Sequence, residues 1–68
     1  MNKTYIDYLF EDKDTGEMFF VEIVKDASKS WTDCYNEAWN TALENFENPI
    51  FVKKVSPEIA ETYGYDTY

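Results

Sequence analysis

The stretch from Trp31 to Phe46 constrains the fold of this 68-residue chain more than any other. Read at about 100° per residue, its apolar side chains fall on one half of a helix and its polar side chains on the other. The apolar half consists of Trp31, Cys34, Tyr35, Ala38, Trp39, Ala42, Leu43 and Phe46. We therefore predict an amphipathic helix whose apolar half packs on the rest of the chain.

Both ends of this predicted helix carry sequence signals. Ser30 precedes it and Asp33 follows three residues later, which is the pattern of a capping box that satisfies free N–H groups in the first turn. Asn48 stands before Pro49, and the residue before a proline avoids helical backbone angles. The helix is therefore expected to begin at Trp31 and to end before the proline.

Three segments alternate as strands do: Thr4 to Glu11, Met18 to Lys25 and Ile50 to Val55. The segment from Asp12 to Glu17 joins the first two strands. It starts with an aspartate and contains a glycine, which favours a hairpin turn. The first two strands are therefore predicted to be antiparallel.

The last third of the chain predicts a second helix. Alternation in the third strand places Phe51 and Val55 on the same face. A serine, a proline and an acid then follow at 56–58, the usual start of a helix. This helix is predicted from Pro57 to Tyr63 and is ended by Gly64.

Together these elements predict a single α+β domain that covers residues 1–68. The order is ββαβα, with a three-stranded, mainly antiparallel sheet in the strand order 2-1-3. One long helix packs on a face of the sheet and a short helix follows at the C-terminal end. In this topology the second and third strands are the sheet edges.

The net charge of the chain indicates which classes of partner it can bind. Fourteen Asp and Glu residues stand against six lysines, so the net charge is −8. A polyanion such as DNA and an anionic membrane surface are both disfavoured by such a charge. A basic protein is the favoured partner. The alternative is that the acidity only keeps a small, aromatic-rich protein in solution.

Residues for catalysis or metal binding are scarce. The chain has no histidine, and its one cysteine, Cys34, lies in the apolar half of the helix, where we expect a buried thiol. Asp12, Asp14 and Gly16 have the spacing that begins a calcium loop, but the twelfth loop position is Ile23 instead of an acid. We expect a hairpin turn there, no metal, no cofactor and no enzyme activity.

Two acidic clusters and a group of tyrosines form the predicted partner-binding surface. They are Asp33, Glu37, Asn40, Glu44 and Glu47 on the helix, Glu11, Asp12, Asp14 and Glu17 near the hairpin, and Tyr63, Tyr65 and Tyr68 at the C-terminal end. The helix stripe extends about 21 Å, comparable to a run of phosphates. Its carboxylates could bind lysines and arginines that contact a nucleic-acid backbone. The alternatives are a solvated helix face and tyrosines that cover the core.

The segment from Ser56 to Tyr68, SPEIAETYGYDTY, resembles the end of small uncharacterised proteins encoded by bacteriophages and prophages. In size, acidity and aromatic content the chain is similar to phage inhibitors of host defence, including anti-CRISPR proteins. The resemblance implies a non-enzymatic inhibitor that covers the DNA-binding surface of a host protein.

Two further expectations accompany this interpretation. A lone cysteine and an N-terminal segment without a continuous apolar run favour the host bacterial cytoplasm. The inhibitor is expected to be a monomer or a weak homodimer that binds neither nucleic acid nor membrane directly. The alternative function is a small structural or assembly adaptor that binds a protein through the C-terminal aromatics or a sheet edge.

Overall fold

The computed structural model describes residues 3–68 and contains a four-stranded sheet and two helices. The elements are β1 (Thr4–Asp12), β2 (Met18–Lys25), α1 (Trp31–Asn45), β3 (Pro49–Val55), α2 (Pro57–Glu61) and β4 (Asp66–Thr67). The strand order is β3-β1-β2-β4, and β1 is antiparallel to both β2 and β3. The α+β class and the 2-1-3 order of the first three strands are confirmed. The prediction of only three strands is wrong, because β4 makes the sheet four-stranded and mixed.

The fourth strand is short and pairs in parallel with β2. The N–H group of Tyr68 donates a 2.8 Å hydrogen bond to the carbonyl oxygen of Phe20, and the N–H group of Glu22 donates a 3.1 Å bond to that of Tyr68. This part of β2 is therefore not the open edge that the sequence predicted. Two residues carry no alternation pattern, so nothing in the local sequence marks β4.

Both helices end earlier than predicted. α1 ends at Asn45, because Phe46 takes an extended conformation that lets its ring stack on Phe19, with 4.1 Å between ring centroids. α2 ends at Glu61 instead of Tyr63. The N–H groups of the next two residues donate to carbonyls three positions earlier, which is a tighter turn than an α-helix makes.

A β-bulge in β3 changes which face its side chains occupy. Phe10 pairs with Phe51, whereas the preceding residue of β1 pairs with Lys53, so Val52 has no partner on β1. Phe51 packs under α1, but Val55 packs on the opposite face of the sheet. The prediction that these two residues share a face is therefore wrong.

Side chains pack on both faces of the sheet. The helix face, which α1 covers, holds a buried cluster of Tyr8, Phe10, Phe19, Val21, Ile23, Cys34, Ala38 and Ala42. The tail face, which α2 and the C-terminal segment cover, holds Leu9, Phe20 and Ala60, with Met18, Val55 and Tyr63 packed against them. Cys34 is fully buried, as predicted. Small residues on α1 let the helix approach the large aromatic rings of the sheet closely.

The capping box at the start of α1 is confirmed and gives a testable prediction. The N–H of Asp33 donates to Ser30 Oγ at 3.0 Å, and the N–H of Ser30 donates to Asp33 Oδ2 at 3.1 Å. Replacing Ser30 with alanine should lower the free energy of unfolding by about 1 kcal/mol, measured by urea denaturation. Thr32→Ala is the control, because Thr32 is an exposed residue in the first turn of the same helix. An equal loss in both variants would contradict the role of the cap.

Candidate functional site

The hairpin turn between β1 and β2 lies beside the C-terminal end of α1. The N–H group of Lys13 donates a 3.0 Å hydrogen bond to the carbonyl oxygen of Asn48. The side-chain amide of Asn48 lies 3.2 Å from each carboxylate oxygen of Asp14. The structure therefore places Asp14 of the hairpin beside the chain that follows α1, a contact that the sequence did not show.

Five exposed carboxylates occupy this end of the molecule, and we call them the acidic end. They are Asp14, Glu17, Glu44, Glu47 and Asp66. Glu44 and Glu47 line a shallow depression at the end of α1, and Glu17 and Asp66 line another beside the start of β2. The register of β4, which pairs Asp66 with Phe19, adds a carboxylate that the sequence analysis did not include.

The N-terminal half of the helix stripe is already engaged within the molecule. Asp33 accepts the hydrogen bond of the capping box, and Glu37 forms a 2.8 Å ion pair with Lys29. Lys29 Nζ donates a hydrogen bond to Glu37 Oε1 within this ion pair, and this bond raises the pKa of Lys29. Asn40 is exposed and adds no charge. The charge available to a partner is thus concentrated in the second half of the stripe, next to the hairpin.

The predicted hairpin residues differ in their surroundings. Asp12 is buried, with 8% of its surface exposed. Its carboxylate accepts 3.0 Å hydrogen bonds from the N–H of Asp14 and from the hydroxyl of Thr15. Asp12 therefore shapes the turn instead of facing a partner. Glu11 is half-buried, whereas Asp14 and Glu17 are exposed.

All three C-terminal tyrosines pack within the molecule. Tyr63 meets Phe20 edge to face at 5.6 Å, and Lys53 Nζ lies 5.5 Å from the Tyr63 ring. Tyr65 also packs on Phe20, and Tyr68 packs on two phenylalanine rings of the helix face. Tyr65 and Tyr68 nevertheless keep 41% and 45% of their surfaces exposed. Covering the sheet is thus one role of these rings.

Three lysines lie at the opposite end of the sheet, close to the carboxylates of Asp26, Asp33 and Glu37. Lys54 Nζ and Lys25 Nζ lie 4.1 Å and 5.2 Å from the centroid of the Trp31 ring, and Lys29 follows β2 nearby. Cation–π contacts and the ion pair of Lys29 hold these ammonium groups in place. Because Asp26, Asp33 and Glu37 lie near these lysines, the positive charge at this end is balanced within the molecule.

A second feature lies on the tail face. A pocket of about 330 Å³ separates the sheet from α2 and the C-terminal segment, and carboxylates of Asp7, Glu22 and Glu61 line it. Asp7 is only 3% exposed, and among residues 3–68 its Oδ1 atom has no hydrogen-bond partner. Burial, and secondarily the charge of Glu22 opposite it, raise the pKa of Asp7. The sequence signal for this site is the position of Asp7, two residues before Leu9 in β1. This spacing places its carboxylate on the same face of the sheet as Leu9.

Comparison of the chain with protein-family models, with curated proteins and with solved structures finds no match. Within residues 3–68, no helix is long and apolar enough to cross a membrane. The same residues bring no three Cys, Asp or Glu side chains close enough together to hold a metal ion. The acidic end and the pocket of the tail face are thus the two candidate sites of this protein.

Proposed function

We propose that this chain is a non-enzymatic, phage-type inhibitor that binds a basic, nucleic-acid-handling host protein in the bacterial cytoplasm. The observation that carries the proposal is that the hairpin turn with Asp14 and Glu17 contacts the chain just after α1, so that their exposed carboxylates lie at the same end of the molecule as those of Glu44 and Glu47. Glu44 lies on α1, whereas Glu47 follows the end of the helix.

The acidic end has the properties that a cationic surface would recognise. Its carboxylates are attached to backbone that the Asn48–Asp14 contact and the Phe46–Phe19 stack hold together. Lysines and arginines that bind phosphates also bind carboxylates, and arginine can do so with two parallel hydrogen bonds.

Affinity capture from a bacterial lysate, with and without excess duplex DNA, tests the proposal. We expect the chain to retain a DNA-binding protein that the duplex displaces. Glu44→Gln combined with Glu47→Gln should abolish most of this retention. The matched control, Asp26→Asn with Glu58→Gln, removes the same charge away from the acidic end and should retain the protein. The proposal would be contradicted if the amount of captured protein changed neither with excess duplex DNA nor with the Glu44→Gln, Glu47→Gln variant.

One observation favours the alternative function, an adaptor that binds a protein partner: β3 is an open edge of the sheet. Ile50 and Val52 each expose 43% of their surface on this strand. However, the bulge at Val52 and the neighbouring Lys53 and Lys54 are features that discourage strand addition. If the edge binds the partner, Val52→Lys should abolish capture and the Glu44/Glu47 variant should not.

Removing the residues after Gly64 would not separate the two functions. That truncation deletes β4 together with Tyr68, whose ring packs 5.5 Å from Phe19 in the core of the helix face. It also deletes Tyr65, which packs on Phe20 of the tail face. The variant would therefore lose stability whichever surface binds the partner, so point substitutions are the better test.

A further inference from the structure

The pocket of the tail face contains a carboxylate whose charge the protein itself does not balance. Asp7 is 97% removed from solvent, its Oδ1 atom accepts no hydrogen bond from the part of the chain that the structure describes, and Glu22 lies directly opposite it on β2. Like charges at directly opposed positions of two strands repel each other. A third carboxylate, Glu61, comes from α2. A cationic group in the pocket would offset the repulsion between these carboxylates and could donate a hydrogen bond to Asp7 Oδ1.

The remaining walls indicate which cation fits. Pro57, Ala60 and the ring of Tyr65 provide apolar surface beside the carboxylates. A volume of about 330 Å³ exceeds what one bare cation requires and lies at the lower end of the range for small ligands. A flat guanidinium group donates two parallel hydrogen bonds to a carboxylate and stacks on aromatic rings, while an alkyl stem packs on apolar walls.

We propose that the pocket binds a guanidinium group on a short alkyl stem, with the cation at Asp7 and Glu22 and the stem along Pro57 and Ala60. Two sources present this group: an arginine side chain of a protein and a free alkylguanidine. The ordinary hydrogen-bonding capacity of Asp7 Oδ1 would then be used. This site is on the tail face, and its ligand does not depend on the partner proposed for the acidic end.

The raised pKa of Asp7 is consistent with this assignment. Burial and the charge of Glu22 disfavour the ionised form of Asp7 in the free protein. A bound cation adds an attractive charge next to the carboxylate, which favours ionisation. Binding of a cation would therefore reduce the unfavourable effect of burial and of Glu22 on the ionised form of Asp7.

The test uses NMR titrations of the ¹⁵N-labelled chain with defined small molecules. N-acetyl-arginine amide represents a protein side chain, n-propylguanidine represents a free alkylguanidine of the same charge, and N-acetyl-citrulline amide is the uncharged control. We expect the guanidinium compounds to shift amide signals of β1, β2 and α2 around the pocket, and the citrulline compound not to. Asp7→Asn, which keeps the side-chain shape, should weaken binding about tenfold.

Matched variants keep the result interpretable. Glu22→Gln should also weaken binding, whereas Asp26→Asn, which removes one carboxylate that does not line the pocket, should leave it unchanged. Stronger binding of the arginine compound than of n-propylguanidine would assign the pocket to a protein side chain, and the reverse order to a free alkylguanidine. The proposal is overturned if no guanidinium compound binds, if the citrulline compound binds equally well, or if Asp7→Asn binds as the wild type does.

Discussion

Replacing Phe10 with alanine is expected to leave the chain largely unfolded at 25 °C. Phe10 is fully buried, and its ring centroid lies 5.6 Å from that of Phe19, 5.1 Å from Trp39 and 5.7 Å from Phe51. It therefore joins β1, β2, β3 and α1. Removing a buried phenylalanine side chain costs about 3–5 kcal/mol. A single core in a domain this small rarely supplies more than about 3–5 kcal/mol of net stability.

Near-ultraviolet circular dichroism and urea denaturation measure this effect. Tyr5→Ala is the matched control, because Tyr5 lies on the same strand but is 44% exposed, and it should cost less than about 1 kcal/mol. Phe10→Leu should stay folded with an intermediate loss of stability, since leucine fills part of the space. A Phe10→Ala protein that unfolds cooperatively with nearly wild-type stability would show that the aromatic cluster is not the centre of the core.

Replacing Asp7 with asparagine is expected to stabilise the fold at neutral and higher pH by about 1–3 kcal/mol. Asp7 is buried beside Glu22, and asparagine removes the charge while its amide can donate to the carboxylate of Glu22. Glu44→Gln controls for the general effect of removing one negative charge from a chain of net charge −8 and should give a smaller gain. A destabilised Asp7→Asn protein at pH 8 would contradict this account.

The gain from Asp7→Asn should depend on pH in a defined direction. The pKa of Asp7 in the folded protein is raised above its ordinary value of 3.8, so the folded state holds this proton more tightly than the unfolded state does. The stabilising effect of that proton is fully present below pH 3.8 and is lost as the pH rises through the folded-state pKa. The difference in unfolding free energy between variant and wild type should therefore grow with pH and then level off.

Local sequence patterns predicted the parts of the fold that repeat over several residues. The alternation from Thr4 to Lys25 and the helical period from Trp31 onward are each long enough to define an element. Ser30 and Asp33 marked the start of α1 correctly because a capping box depends only on neighbouring residues. The first three strands followed from the lengths and order of these elements.

The features that were missed depend on contacts between distant parts of the chain. The bulge at Val52 arises from pairing between β1 and β3, and its own sequence carries no sign of it. β4 exists because α2 returns the chain to β2. Phe46 leaves the helix to stack on Phe19, although its position fits the helical period.

The candidate site was predictable in composition but not in arrangement. Glu44 was correctly placed on an exposed face of α1, whereas Glu47, predicted on the same helix stripe, follows the end of the helix at Asn45. Only the fold shows that Asp14 contacts Asn48 just beyond this helix end. Charge counting also could not show that Glu37 is paired with Lys29 or that Asp12 is turned into the hairpin. A sequence pattern gives the direction of a side chain from its own element, whereas its neighbours are set by the packing of several elements.

The salt dependence of partner binding tests the acidic end most directly. The partner is the host protein that duplex DNA displaces in the capture experiment, and its affinity is measured at increasing NaCl concentrations. Exposed charge pairs are screened over about 8–10 Å near physiological ionic strength, so affinity for the wild-type chain should fall about tenfold or more at high salt. The fall should be clearly smaller for the Glu44→Gln, Glu47→Gln variant. Affinity that stays constant with salt, or that falls equally for the variant, would contradict binding through the acidic end.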